Sequence, residues 1–212
     1  TDAFNVTHVE MLGYEADDLI ASYAKAAVDE QMKVTIVSSD KDLMQLVKED
    51  VSMLDTMKSR LIKKKEVVEK FGVEPNRVID VQALAGDSVD NIPGVPGIGI
   101  KTASLLINEY DNLDNLLEKA SNIKQNKRRE SLIEFADQAR LSRELVTLKE
   151  DVELPIPIKN IEIQSINPEK LISFLKGMEF KTLTEKKARE FNLNLDEIKT
   201  EELNLEFNEK EV

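Results

Sequence analysis

The chain contains no cysteine, which excludes disulfide frameworks and thiolate metal centres and fits a reducing cytoplasm. Its only histidine is His8. That residue reads as a surface or strand-packing side chain, since activating metal-bound water needs no imidazole. No apolar run reaches the roughly 18 residues of a membrane span, so no membrane partner is expected. A signal peptide is also lacking, and the chain opens on Thr1 rather than Met; we read it as an excised segment of a longer protein. Positive charge is in deficit as well. The net charge of −12 over 212 residues initially argues against a nucleic-acid partner, because phosphate contacts draw on Lys and Arg. What is there, 41% hydrophobic and 33% charged residues, describes an ordinary globular protein.

Distribution matters more than the total charge. From Glu190 to Val212 eight acidic residues face only Lys199 and Lys210, so this tail carries half of the net charge. Basic residues concentrate at Lys58, Arg60, Lys63, Lys64 and Lys65, and again at Lys124, Lys127, Arg128 and Arg129. Both runs read either as solvated faces or as extensions of a duplex-binding surface. A surface polarised in this way is compatible with DNA.

The pattern along the chain changes character once. A β-like run from Asn5 to Met11 precedes a helix over Ala16 to Val28, followed by a buried strand at Val34 to Ser38, whose content is β-branched. A helix capped by Ser39 or Asp40 is expected through Val47, then a strand over Val51 to Asp55 with a hairpin partner at Arg60 to Ile62. These lengths predict an α/β fold with a partial parallel sheet. Helices follow at Lys65 to Phe71, Pro75 to Ala85, Lys101 to Tyr110, Asp114 to Ala120, a long one from about Gln125 to Leu148, Pro168 to Met178 and Thr184 to Asn192. The expected divisions are a sheet-bearing core over residues 1–68, a helical subdomain over 69–165, C-terminal helices over 166–192 and an acidic linker or tail over 193–212.

Three acidic clusters punctuate the first half: Glu15, Asp17 and Asp18; Asp40 and Asp42; Asp87 and Asp90. The first two follow predicted strands, where ligands bind in open α/β sheets. On a helix Glu15 and Asp18 share a face, as do Asp87 and Asp90, while Asp17 is turned about 100° from Asp18. Hard oxygen ligands suit Mg2+ or Mn2+, and two such ions about 3.5–4 Å apart can drive phosphodiester hydrolysis. Any one cluster alone reads more readily as a set of helix caps. Three in series, with a phosphate-binding turn beside the last, favour metal chemistry.

That turn is Gly94-Val-Pro-Gly97-Ile-Gly99, followed by Lys101 and Thr102. Glycine permits positive φ and close backbone approach to a phosphate; amide groups at the following helix N-terminus would face the anion. Such a helix-hairpin-helix grips backbone and reads no bases. Tyr14, beside the first cluster, reads as a core tyrosine or a stacking residue.

Gly13-Tyr-Glu-Ala-Asp-Asp-Leu-Ile20, Val37-Ser-Ser-Asp-Lys-Asp-Leu43 and the run from Ala85 through Gly94-Val-Pro-Gly-Ile-Gly-Ile-Lys-Thr-Ala103 resemble the 5′ nuclease domains of bacterial DNA polymerase I, relatives of the flap endonucleases. The resemblance covers Thr1 to Leu183. It implies a PIN-like core followed by a helix-hairpin-helix subdomain, two divalent metals, and cleavage of 5′ flaps, nicked DNA or RNA primers in replication and repair. By the same match Glu15, Asp17, Asp18 and Asp40 serve the first metal, while Asp42, Asp87 and Asp90 serve the second or its water shell. Gly94, Gly97, Gly99, Lys101 and Thr102 hold DNA, with K+ bound at the turn. The implied protein is a monomer continuous with a polymerase region, acting in the cytoplasm at the bacterial nucleoid. The family's opening strand, a further aspartate and a basic helical arch precede the matched region, so slow or absent cleavage is expected of this segment alone. A non-catalytic duplex-binding module and a free-standing 5′-3′ exonuclease remain the alternatives.

Overall fold

Every residue of Val34-Thr-Ile-Val37 is β-branched, which restricts χ1 and suits a pleated strand; β1 occupies Val34–Val37. In the computed structural model, which describes residues 1–200, it pairs in parallel with β2 (Val51–Asp55), Val34 opposite Val51. Strand β3 (Arg60–Ile62) returns antiparallel to β2, Met53 opposite Ile62, giving the order β1-β2-β3. Alternation along β2 buries Val51, Met53 and Asp55. The buried Asp55 carboxylate closes the hairpin, accepting from Met57 N at 3.0 Å and Lys58 N at 3.1 Å.

Helix α1 (Ala16–Asp29) precedes β1, and a 3-10 helix over Asp42–Leu46 follows it. After the sheet come α2 (Lys64–Phe71), α3 (Val78–Ala85), α4 (Ile100–Tyr110), α5 (Leu113–Glu118), α6 (Asn126–Glu134) and α7 (Ala136–Val146). Helix α3 is nearly all apolar and packs against both α4 and α7. One buried cluster runs from Ala21 through Met53, Leu84 and Leu116 to Ala139, so sheet and helices share a core. Residues Glu10–Ile158 form this compact unit, and the boundary expected near residue 68 falls inside it.

Residues Thr1–Val9 and, among the described residues, 159–200 form a second unit. Its helices are α8 (Pro168–Gly177), capped by Asn167, which accepts from Lys170 N at 3.0 Å, and α9 (Lys181–Glu190). Ala3, Leu171 and Leu175 are its buried centre. No helix among the described residues is long and apolar enough to cross a membrane.

Three sequence expectations need correction. Residues 6–11 form no strand; their backbone makes no ladder bonds, and an extended segment is a strand only when paired. The expected helix through Val47 is a shorter 3-10 turn. Its entry is set by Asp40, whose carboxylate accepts from Asp42 N at 3.0 Å. The long helix is two, broken at Phe135 (φ −103°, ψ 22°). Polar α6 buries only Leu132, whereas α7 buries Ala139, Ser142 and Val146, so the two halves serve different packing.

Between α3 and α4 the chain doubles back. Asp87 and Ile92 exchange backbone hydrogen bonds of 2.8 and 2.7 Å. This brings Gly94 (φ +60°) so close to Gly86 that an added Cβ would lie 2.4 Å from Gly86 N. Gly94→Ala is therefore expected to destabilise the fold by about 2–4 kcal/mol, combining backbone clash with a positive φ, measured by urea denaturation. Gly97→Ala, which meets no atom within 4 Å, should cost about 1 kcal/mol, from φ alone.

Candidate metal and phosphate site

Helix α1 starts at Ala16 with Glu15 extended in the N-cap position, and the Glu15 side chain makes no capping bond. The first turn presents Asp17 and Asp18, both half-buried. Asp18 accepts from Lys149 N at 2.9 Å, which ties α1 to the chain leaving α7. Asp40 and Asp42 follow the C-terminal end of β1, as the open-sheet rule requires.

Electrostatics join these segments. Burial pushes the Asp17 carboxyl above its ordinary range, and the charges of Asp40, Asp42, Glu15 and Asp18 push it further. Burial likewise raises Asp42, against a hydrogen bond from Gln82, with Asp40 and Asp90 adding repulsion. The second cluster thus feels both the first and the third. Asp87 is different, because Lys41 Nζ donates to its carboxylate and holds it below the usual range. Its other oxygen accepts from Val89 N at 2.9 Å, and Asp87 lies in the bridged loop rather than sharing a helix face with Asp90.

The donor set fits a hard divalent cation: it is all carboxylate oxygen, and Lys41 offsets only part of the crowded charge. Among the described residues no three of these side chains close into a cage around one point. The capping alternative holds in part, since Asp40 and Asp87 each accept a local backbone amide. It leaves Glu15, Asp17 and Asp42 unaccounted for.

The glycine turn is held from behind by α7. Gly94 N donates to the buried Ser142 hydroxyl at 3.1 Å, and Gly94 O accepts from Gln138 Nε2 at 2.6 Å. Ser142 and Gln138 are four residues apart on one helix face and so grip both polar groups of one glycine. Beyond this clamp a Cβ added at Gly97 or Gly99 would meet no atom within 4 Å, leaving open space beside the backbone before α4. Gly99 is the α4 N-cap without a side-chain bond, Lys101 is exposed and Thr102 half-buried, so the helix start is free to face an anion.

Other side chains fall where the blander readings put them, with one exception. Lys64 pairs with Glu74 at 2.8 Å, Arg60 with Glu69 at 2.6 Å and Lys58 with Asp55 at 3.4 Å, so most of the first basic run is a salt-bridged face. His8 lies exposed, 3.3 Å from Asp2. Tyr14 is the exception, because it is 38% exposed with Lys149 Nζ 5.1 Å from its ring centroid. It lines, with Glu15, Asp18 and Lys149, a cleft of about 440 Å3.

Sequence reasoning passed over Lys41, Gln82, Gln138 and Ser142. Lys41 sits between two of the aspartates, and Gln82 is the uncharged polar residue within the apolar Val78 to Ala85 helix; both were visible signals. Gln138 and Ser142 gave none, because their target is 44 to 48 residues away.

Sequence profiles of two 5′-3′ exonuclease domains match the chain, the N-terminal resolvase-like domain over residues 1–72 and the C-terminal SAM fold over residues 73–169. The chain belongs to the 5′-3′ exonuclease family. DNA polymerase I of Rhizobium leguminosarum is 50% identical over 209 residues, 99% of this chain and 21% of that protein. The 5′-3′ exonuclease of Aquifex aeolicus is 37% identical over 175 residues, 82% of this chain and 59% of that protein. Among solved structures, a T5 protein co-crystallized with metal ions is 26% identical with a TM-score of 0.61, covering 65% of this chain and 51% of that one. The chain thus spans about a fifth of the length of the polymerase relatives and roughly half that of the phage protein. The family match agrees with the α/β sheet and the following helices.

For a family member with crowded carboxylates, removing one should stabilise the cation-free state. Asp17 and Asp42 hold a proton more tightly folded than unfolded, so their contribution to stability is fully present below the ordinary carboxyl value. It is lost as pH rises through their raised values. Asp87 works in the opposite sense, losing its contribution as pH falls through its lowered value. In EDTA at pH 7, Asp17→Asn is expected to gain roughly 0.5–1 kcal/mol in urea denaturation, and the gain should vanish below pH 4, where wild type is itself protonated.

Proposed function

We propose that this chain carries most of the site of a structure-specific 5′-3′ nuclease, cutting DNA flaps or nicked strands with divalent metal, as part of a DNA polymerase I. What carries this reading is the crowding of Asp17 by Asp40 and Asp42, and of Asp42 by Asp40 and Asp90, beside a clamped glycine turn. Carboxylates massed at a strand end call for cations, and a turn with open space before a helix N-terminus suits a phosphodiester.

Bound divalent ions would lower the pKa of a water and offset charge on the leaving oxygen. Glu15, Asp17, Asp18 and Asp40 would hold one ion; Asp42, Asp87 and Asp90 would hold the second or its water shell. Lys41 neutralises Asp87, and a metal bound at that carboxylate would take the place of its ammonium. Gly97, Gly99, Lys101 and Thr102 would grip the duplex backbone without reading bases, which makes recognition one of strand structure rather than sequence. Mg2+ is the favoured ion, with Mn2+ able to replace it. K+ at the turn, RNA primers as substrate and work at the nucleoid belong to the same reading.

The Lys41–Asp87 pair also favours a second reading, in which the acidic cluster is neutralised within the protein and only the glycine turn binds duplex DNA. Cleavage of a labelled 5′-flap duplex by the whole open reading frame encoding this chain separates the two. Asp40→Asn and Asp87→Asn are each expected to lower Mg2+-dependent cleavage by at least about 100-fold, as loss of a catalytic electrostatic group does, while duplex affinity holds within about threefold. Retained binding without any Mg2+-dependent cleavage by the wild type supports the duplex-binding module instead.

A further inference from the structure

Gln82 lies in the middle of α3, where Val78, Val81, Ala83 and Leu84 are all fully buried, and it is itself only 4% exposed. Its Nε2 donates to Oδ1 of Asp42, while its Oε1, equally buried, finds no donor among the described residues. A buried amide oxygen without a donor costs stability that an apolar side chain of the same length would not. Exchanging the two amide atoms gives no relief at Asp42, because the oxygen would then face its carboxylate. Packing alone therefore selects against glutamine at this position. The same residue's carbonyl accepts from Gly86 N at 2.8 Å, fixing the exit of α3 toward Asp87.

We propose that Gln82 is a positioning residue, whose Nε2–H fixes one oxygen of Asp42 so that the other stays turned toward a cation shared with the neighbouring carboxylates. The inference rests on the metal-binding reading of the acidic site and adds to it the residue that orients one ligand. A group that hydrogen-bonds a metal-ligating carboxylate pre-organises it, and losing such a group weakens the metal rather than the fold. Gln82 also joins two chain segments of the site. It reaches from α3, whose end leads into Asp87 and Asp90, across to the turn after β1.

The test is Mn2+ binding to the 212-residue chain, followed by water-proton relaxation, with the metal-free thermal midpoint measured alongside. Gln82→Met keeps the length and removes both amide atoms. It is expected to weaken Mn2+ by roughly 10- to 100-fold while leaving the midpoint unchanged or raised. In an Asp42→Asn background the same substitution should change Mn2+ affinity by less than about twofold, since the residue acts through Asp42. Wild-type affinity in Gln82→Met overturns the proposal, as does an equal loss with and without Asp42. A midpoint that falls in both Gln82→Met and Gln82→Leu overturns it too and makes Gln82 a core residue. Absence of saturable Mn2+ binding in the wild type refutes the metal reading itself, a result separate from a variant that binds normally.

Discussion

Like charge held together in a partly buried place is the constraint on which the rest depends. Asp17 and Asp42 are each penalised by burial and by neighbouring acids drawn from separate parts of the chain. Water cannot fully screen such groups, so the fold meets part of the charge internally: Lys41 covers Asp87, and the Lys149 backbone amide meets Asp18. The remaining repulsion is left in the folded chain, where a bound cation would relieve it. Stability and metal affinity are opposed at this site, as is common where function sets the residue choice.

The neighbouring backbone is arranged around the same demand. Gly86 and Gly94 approach too closely for any side chain, which closes the loop carrying Asp87 and Asp90. Helix α7 then fixes Gly94 through Ser142 and Gln138, so the loop carrying Asp87 and Asp90 and the glycine turn that follows it are held as one peptide segment. Buried Leu84 completes the connection, since its carbonyl accepts from Val95 N at 2.8 Å.

Much of this was legible in the sequence, for identifiable reasons. The β-branched run at Val34, the Asn167-Pro168 helix start and the Gly94 turn declare themselves through local chemistry, and the structure has all three. The strand expected over residues 6–11 failed because strand formation needs a partner, which local sequence does not specify. Phe135 was hidden inside a continuous helical periodicity, and its break reflects different packing of α6 and α7. Within the site the carboxylates could be chosen from their spacing, but not their partners. Which amide meets Asp42, and which cation meets Asp87, is decided by contacts 40 and 46 residues apart. Tyr14 shows the limit from the other side: its apolar ring suggested the core, yet Lys149 draws it to the cleft wall. The end of the acidic tail, residues 201–212, lies outside the described residues.

The most direct measurement is anomalous scattering from crystals of the chain grown with Mn2+, collected on either side of the manganese edge. The crowded carboxylates predict a peak bounded by Asp17, Asp40 and Asp42, with the Lys41 ammonium displaced from Asp87 wherever a second peak forms beside Asp90. Crystals saturated with Mn2+ that carry no peak among these residues, with Lys41 still on Asp87, contradict it.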